Sequence, residues 1–422
     1  MNAIDIDYND LLRNISIAGV SEIPEVGVLM GMFVDTLWPA SGQNIWNQIK
    51  VAVERLIDRK LDEVVWQAVS DTLGGLEAVS KLYTQTVDGG ASPTVIRETW
   101  VSAVTTFEGA KVHFQWKGYE VLLLPLFAQF ANLELALLRD GLVRGRNWGW
   151  NDADVNVYHD KLLELLDTYS QYVDATFSAG KYDANVRGVD IHKHSKKHHK
   201  EAGLFNRYPF QTRNEYVRET TLTVLDYKAV WPYYDPIQYP KGEQVELNRE
   251  IYSDPVGAPD PKADAYSYWP NSAPTLPIQR IEVWSGDRID SCRVTYPQDG
   301  GPNGDTSTGV MGGAHGDNLQ HEYDLEHLGQ VVKVHGADGQ INDWWQFTFQ
   351  KGEEFTDSKM MGSTKTSQVP PTPFEFSYTD HILSSIYIRG VNSFYRTADC
   401  TVFGFKFKKP EALVLRDRKM TR

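Results

Sequence analysis

Apolar positions follow a helical period from about residue 20 to 232 and a strand period from about residue 278 onward. Val53, Ile57, Leu61, Val64 and Ala68 fall at i, i+4, i+8, i+11 and i+15, the stripe of one long helix. Similar stripes run from Pro93 to Gln115, from Tyr119 to Leu142, and through Val155, Tyr158, Leu162, Leu165, Tyr169, Tyr172 and Phe177. A last one covers Arg213 to Val230 and is stopped by Pro232. Breakers separate the stripes: Asp88-Gly89-Gly90, Lys117-Gly118, Trp148-Gly149-Trp150 and Gly203. Val26 to Trp38 is strongly apolar, but Asp35 interrupts it and it is too short to span a bilayer, so it reads as a buried helix. Five or more long helices on short connections predict a helical bundle.

The chemistry of the backbone changes at residues 253–277, where six prolines in 25 residues exclude a helix or a central strand. Beyond this strap, Ile281 to Trp284, Cys292 to Tyr296, Val331 to Val334, Trp345 to Phe349, Ile386 to Ile388 and Thr401 to Phe407 alternate like half-buried strands. Glycine-rich loops lie between them, chiefly Asp299 to Asp317 with seven glycines. The expected plan is α plus β in separate domains: a helical bundle over 1–252, a proline-rich linker over 253–277 and an all-β domain over 278–422. No repeat of 20–50 residues is visible.

One stretch stands apart. Val121 to Leu138 is 18 residues with only Gln129, Asn132 and Glu134 clearly polar. As a helix it is about 27 Å long, close to the hydrocarbon thickness of a bilayer. A helix apolar nearly all round must be enclosed by other helices in water, or by lipid. Gln129 and Asn132 share one face, where they could line a pore or pair across helices. Glu134 points roughly the other way and would be costly against lipid. Periodicity alone leaves both the buried core helix and the spanning helix open.

The same run, with its surroundings, resembles the central fifth helix of the insecticidal delta-endotoxin (Cry) family. The resemblance rests on Tyr119-Glu120-Val121, Leu123-Leu124-Pro125, Ala128-Gln129, Ala131-Asn132-Leu133, Leu137 to Asp140, Gly145 and Trp148-Gly149. A second block agrees: Arg213, Arg218-Glu219, Thr221 to Asp226, Trp231-Pro232, Tyr234-Asp235, Tyr239-Pro240 and Arg249 to Pro255, similar to the family's seventh helix and the strand leading out of its bundle. A third comprises Trp46, Val53 to Ile57 and Gly75-Leu76. The resemblance covers roughly residues 20–256 and implies a seven-helix-type pore-forming bundle that opens, inserts and self-associates in a target membrane. It singles out Val121, Leu124, Pro125, Gln129, Ala131, Asn132, Leu133, Leu137 and Leu138 as the membrane-inserting helix. One departure is Glu134, where the family usually carries His. A second is length: about 145 residues remain after the strap, too few for the family's second and third domains together. The two-domain plan is more similar to the B component of the Pir binary toxins, which implies a small A-type subunit as partner.

The β-half resembles the jacalin-like lectins, a β-prism fold. Ile281, Val283, Ser285-Gly286-Asp287, Ile289-Asp290-Ser291, Val294-Thr295-Tyr296 and Gly312-Gly313 match the opening strands, and Ile386 to Phe407 the closing ones. The lectins hold sugar in a Gly-x-x-x-Asp loop before the last strand. Here the matching residues are Tyr395-Arg396-Thr397-Ala398-Asp399, with Asp399 kept and Tyr395 in place of glycine. Tyr395, Arg396 and Asp399 are therefore the candidate receptor or carbohydrate residues, against the plainer reading of Asp399 as a turn cap. The implied partners are a membrane and a cell-surface glycan or glycoprotein. The alternative function is a lectin-type carbohydrate-binding protein with a structural helical domain.

Composition narrows the field. The 422 residues carry 42 Lys and Arg against 56 Asp and Glu, a net charge of −14, which gives no general attraction for nucleic acid or anionic lipid. Cys292 and Cys400 are the only cysteines, which excludes a disulfide scaffold and a cysteine-ligated zinc module. They read as two buried thiols, with a disulfide between the first and last strands as the alternative. The first twenty residues carry Asp5, Asp7 and Asp10 and lack a signal-peptide pattern, so the expectation is a soluble protein made in the cytosol, released from a bacterium or laid down as an inclusion, and acting at the host membrane. Residues 192–200, HKHSKKHHK, could hold a metal through His194 and His198, but lysines among the ligands repel a cation, and a solvated loop is the expectation. His321-Glu322 has no second His three residues on, and no phosphate-cradling loop or nucleophile elbow is present. The reading is a protein without cofactor and not an enzyme.

Overall fold

A computed structural model describes residues 7–21, 27–195, 207–257, 272–313, 319–338, 342–364, 372–391 and 398–408. The chain forms two compact units, one built from residues through Tyr182 with Glu219–Leu247, the other from Asp183–Arg218 and Asn248–Lys409.

The helices are α1 (Asp7–Ser21), α2 (Val28–Leu37), α3 (Ile45–Ile57), α4 (Glu63–Asp88), α5 (Pro93–Ala110), α6 (Glu120–Arg144), α7 (Asp152–Ser195) and α8 (Arg207–Thr220). The stripe from Val53 to Ala68 is not one helix. Asp58 adopts the left-handed conformation (φ 50°) and ends α3, and the Asp62 carboxylate caps the next helix by accepting the Val64 N–H at 2.8 Å. Glu54 fills the gap, accepting the Leu61 N–H at 2.8 Å and pairing with Lys60 at 3.0 Å. Val64, read as a core position, is 71% exposed. The core positions of α4 are Val65, Val69, Leu73 and Leu76, one residue out of phase with Val64 and Ala68, so the apolar period does not continue across the break.

The last helical stripe is also more than an α-helix. After α8 the backbone widens into a π-helix over Thr221–Leu225, returns to α geometry as α9 (Asp226–Val230), and closes as a 3-10 turn over Trp231–Tyr234 that admits Pro232 in its first turn. Inside the first unit this segment is tied to α1. Asn9 donates to the Leu222 carbonyl at 3.0 Å, Tyr227 donates to Asn9 at 2.8 Å, and Arg13 lies between Asp10 and Asp226.

In the second unit, the strands among the described residues make three antiparallel sheets, as the β-prism expectation requires. Sheet A is β1 (Glu250–Tyr252), β13 (Ala398–Phe407) and β12 (His381–Val391), with β2 (Val256–Gly257) also on β13. Sheet B orders β5 (Met311–Gly312), β4 (Ile289–Thr295), β3 (Arg280–Ser285) and β6 (Leu319–Asp324). Sheet C orders β10 (Met361–Gly362), β8 (Asn342–Lys351), β7 (Gln330–Asp338) and β11 (Thr372–Ser377), with β9 (Glu354–Asp357) on β8. Alternate side chains, among them Ile281, Val283, Val294, Val331, Phe347, Leu383 and Phe403, meet in the core. Gly312 of the sequence's glycine pair sits at φ 106°, and a Cβ there would stand 2.6 Å from the Asp290 carbonyl. Cys292 and Cys400 are both buried and not joined in a disulfide, and burial pushes the Cys292 thiol far up, away from reactivity.

Strand β1, placed by sequence at the end of the helical domain, is hydrogen-bonded to β13 in sheet A, with Ile251 opposite Phe405. It is anchored by its own carboxylate. Glu250 accepts from Ser385 at 2.6 Å, from Tyr252 at 2.9 Å, from Tyr387 at 3.3 Å and from Ser384. A Cβ on Gly404 would come within 2.7 Å of the same carboxylate, so the small residue makes room for the cage. Desolvation raises the Glu250 carboxyl above its ordinary range, and the hydroxyl donors offset only part of that. A raised folded-state pKa contributes stability that is fully present below the unfolded value and is lost as pH rises through the folded one. Glu250→Gln, permanently neutral, is therefore expected to gain on the wild type as pH rises from 4 to 8 in urea unfolding. A stability difference that does not change with pH contradicts this account.

Candidate functional site

The long apolar run forms α6, 25 residues with Pro125 inside it. Glu120 at its first turn accepts the Gly118 N–H at 2.7 Å. Among the described residues, α6 is the one helix long and apolar enough to cross a membrane, and nearly all of that length is enclosed by protein. Helices α2, α3 and α5 pack directly on it. Of the residues singled out from sequence, Leu124, Pro125, Gln129, Ala131, Asn132, Leu133, Leu137 and Leu138 are buried, and Val121 at the first turn is half-buried.

Gln129, Asn132 and Glu134, the polar side chains inside the apolar run, each have a partner within the bundle, which is what burial demands. Asn132 donates to Gln129 at 3.0 Å and accepts from the Trp231 indole at 2.8 Å. Gln129 and Pro125 border a small apolar crevice shared with Tyr8, Ile49, Val53 and Leu222. On the opposite side Glu134 accepts the Tyr169 hydroxyl from α7. Burial and the carboxylate push the Tyr169 phenol far up, so it stays a donor. Glu134 lies at the floor of a polar cleft of about 510 Å³ whose walls carry Glu108, Lys111, Asp160, Lys161 and Glu164. Lys161 pairs with Glu108 across it. The central helix thus meets α7 through one hydrogen-bonded carboxylate and an edge-to-face ring contact, Phe127 against Tyr169 at 5.1 Å.

Two features of the site were not read from the sequence. Asp140 is buried and accepts the Gly27 N–H at 3.0 Å and the Tyr83 hydroxyl at 3.1 Å, joining three separate segments of the first unit. Its neighbour Arg139 donates to the Tyr233 carbonyl at 3.0 Å. The Arg139-Asp140 pair closing an apolar run was the available signal, since adjacent charges at a buried helix end need partners. The second feature is an aromatic stack. Trp100 donates to the Leu137 carbonyl at 2.7 Å and sits 5.0 Å from Trp150 and 4.7 Å from Tyr158. A Cβ at Gly141 would lie 2.9 Å from Trp150, so α6 needs glycine there to let the indoles approach.

In the β-domain, Tyr395 and Arg396 lie outside the described residues, and Asp399 is described only as the second backbone position of β13. His194 falls at the end of α7, and His198 lies outside the described residues. No group of three or more His, Cys, Asp or Glu suited to a metal occurs among the described residues.

Residues 15–235 match the family described as delta endotoxin, N-terminal domain. The chain belongs to the delta-endotoxin family. Pesticidal crystal protein Cry9Ca of Bacillus thuringiensis subsp. tolworthi is 28% identical over 250 residues, 57% of this chain and 20% of that protein. Cry1Bb of Bacillus thuringiensis is 32% identical over 272 residues, 62% of this chain and 21% of that protein. This endotoxin chain therefore matches about a fifth of the length of those relatives. In fold, it superposes on the Bacillus thuringiensis insecticidal crystal protein Cry7Ca1 with a TM-score of 0.76 at 19% identity, over 96% of this chain and 75% of that one. It superposes on PirB with a TM-score of 0.71 at 16% identity, over 95% of each chain. The two-part helical and β architecture read from the sequence is the fold of this endotoxin.

Proposed function

We propose that this endotoxin chain is a pore-forming insecticidal protein whose β-domain recognises a cell-surface receptor and whose bundle then opens to deliver α6 into the membrane. The observation that carries the reading is α6 itself: at about 1.5 Å per residue it exceeds the roughly 30 Å of bilayer hydrocarbon, yet the folded chain keeps it from solvent. Enclosure by the bundle keeps so apolar a helix out of water until lipid can replace its neighbours. The names of its relatives, pesticidal and insecticidal crystal proteins, support the target. The chain acts by permeabilising a host membrane rather than by catalysis, with self-association in the pore. The similar length and fold of PirB support testing a small partner subunit alongside it.

The test is release of dye from vesicles made with brush-border lipid extract of a susceptible insect, with and without a candidate small subunit. Dose-dependent release by the purified chain, alone or with that subunit, is expected. Binding to the vesicles with no release under either condition would leave the lectin-type alternative as the better reading.

A further inference from the structure

The β-domain carries a polar cleft that the sequence motifs did not indicate. It has a volume of about 640 Å³ and opens on the outer face of sheet C beside the β11–β12 turn. That volume lies in the range of small-ligand sites, about 300–1,000 Å³. It is far from the Asp399 end of the sheet. His381, on the cleft, pairs with Phe407, whereas Val391 pairs with Ala398, so the length of β13, about 30 Å, separates them.

The lining has a definite chemical character. Phe355 stands 64% exposed on β9, a four-residue strand that is exposed throughout. Next to it Asp357 accepts the Thr348 hydroxyl at 2.6 Å, which fixes its rotamer and leaves further lone pairs for other donors. Gln350, Ser377 and Thr379 add an amide and two hydroxyls, each able to donate and accept. The formal charges cancel, Lys333 and Lys408 against Asp357 and Asp380. His381 is already committed, its two ring nitrogens bonded to the Thr379 carbonyl at 2.6 Å and to Arg249 at 2.7 Å. Such a surface offers no focused field for a phosphate, a sulfate or a metal ion. It does offer paired donors and acceptors around a flat apolar ring, which suits a ligand with many hydroxyls and a C–H face.

We propose that this cleft is a binding site for a neutral saccharide, with Phe355 under the sugar face and Asp357 accepting from its hydroxyls. The assignment rests on reading the β-domain as the recognition part of the toxin. The whole chain would be tested against immobilised neutral oligosaccharides ending in hexose or N-acetylhexosamine, with sulfated and sialylated glycans beside them. Phe355 and Asp357 are exposed, so Phe355→Ala and Asp357→Asn should keep the wild-type near-UV circular dichroism. Each is expected to weaken binding to the neutral glycan at least tenfold while Asp399→Ala leaves it unchanged.

Dye release from receptor-free vesicles at high dose should be the same for all these variants. That readout reports the pore reading separately, so its failure and the failure of the glycan site are distinguishable. The proposal is overturned if the wild type binds no neutral glycan, or if it prefers anionic glycans in a salt-sensitive way. It is equally overturned if both cleft variants bind normally, including the case where only Asp399→Ala loses affinity.

Discussion

A disulfide joining α6 to α7 should leave the protein folded and silent, with vesicle leakage at least a hundredfold lower until the bond is reduced. The bundle cannot cross a bilayer as it stands, because its outer helices carry polar faces that lipid would not solvate. Insertion of α6 therefore requires its neighbours to leave. They are held by apolar packing and by a few specific bonds: Asn132 to Trp231, Glu134 to Tyr169 and Trp100 to the Leu137 carbonyl. Each such bond contributes on the order of 1 kcal/mol net, so they can be broken once membrane contact compensates. A covalent bond cannot. The engineered pair should be chosen with Cβ atoms within about 4.5 Å, so that the native geometry is not strained. Redox control is clean in this protein because Cys292 and Cys400 are buried and not joined in a disulfide. An oxidised form as leaky as the reduced one would sink the opening step. Placing Arg at Ala131 asks the same question less clearly, since Ala131 is fully buried and the charge would disrupt the soluble bundle as well.

Asp140→Ala is expected to lower the stability of the helical unit by about 3–5 kcal/mol. Its carboxylate is the shared acceptor for the Gly27 N–H and the Tyr83 hydroxyl, both inside the protein. Removing it strands two buried donors, each costing roughly 1–3 kcal/mol, and opens a small void. Burial pushes the Tyr83 phenol far up, so in the variant it stays a protonated donor without its acceptor. Asp140→Asn keeps one carbonyl acceptor and should cost far less. Urea unfolding of the two variants checks this, and equal stabilities would show that the carboxylate does not hold the three segments together.

What could be read from the sequence divides along physical lines. The central helix was legible because an uninterrupted apolar run has one meaning at the level of burial, and Val121 to Leu138 all fall on it. The shared face of Gln129 and Asn132 was legible from their spacing, but the expectation was a pore lining or a pair across helices, whereas in the fold they bond to each other. The break after Ile57 was not legible, because it depends on a left-handed Asp58 and on the Asp62 cap rather than on hydrophobic period. The partners of Asp140 could not be found either: Gly27 and Tyr83 are 113 and 57 residues away, and no local pattern encodes such a meeting. The sheet C cleft was hidden for a related reason. Its residues come from five separate strands and turns, and single polar positions in strands look like ordinary solvent faces.

The π-helical stretch at Thr221–Leu225 has a consequence for how this segment tolerates insertions and deletions. A π-turn holds one more residue than an α-turn, so the chain before and after it runs on two helical wheels offset by about 100°. Asn9 holds the Leu222 carbonyl inside the π stretch, and Asn132 holds the Trp231 indole beyond it. Loss of a single residue inside the five would restore a plain α-helix while turning the Trp231 indole away from its acceptor. The segment therefore acts as a phase setter, and its length carries as much structural information as its composition.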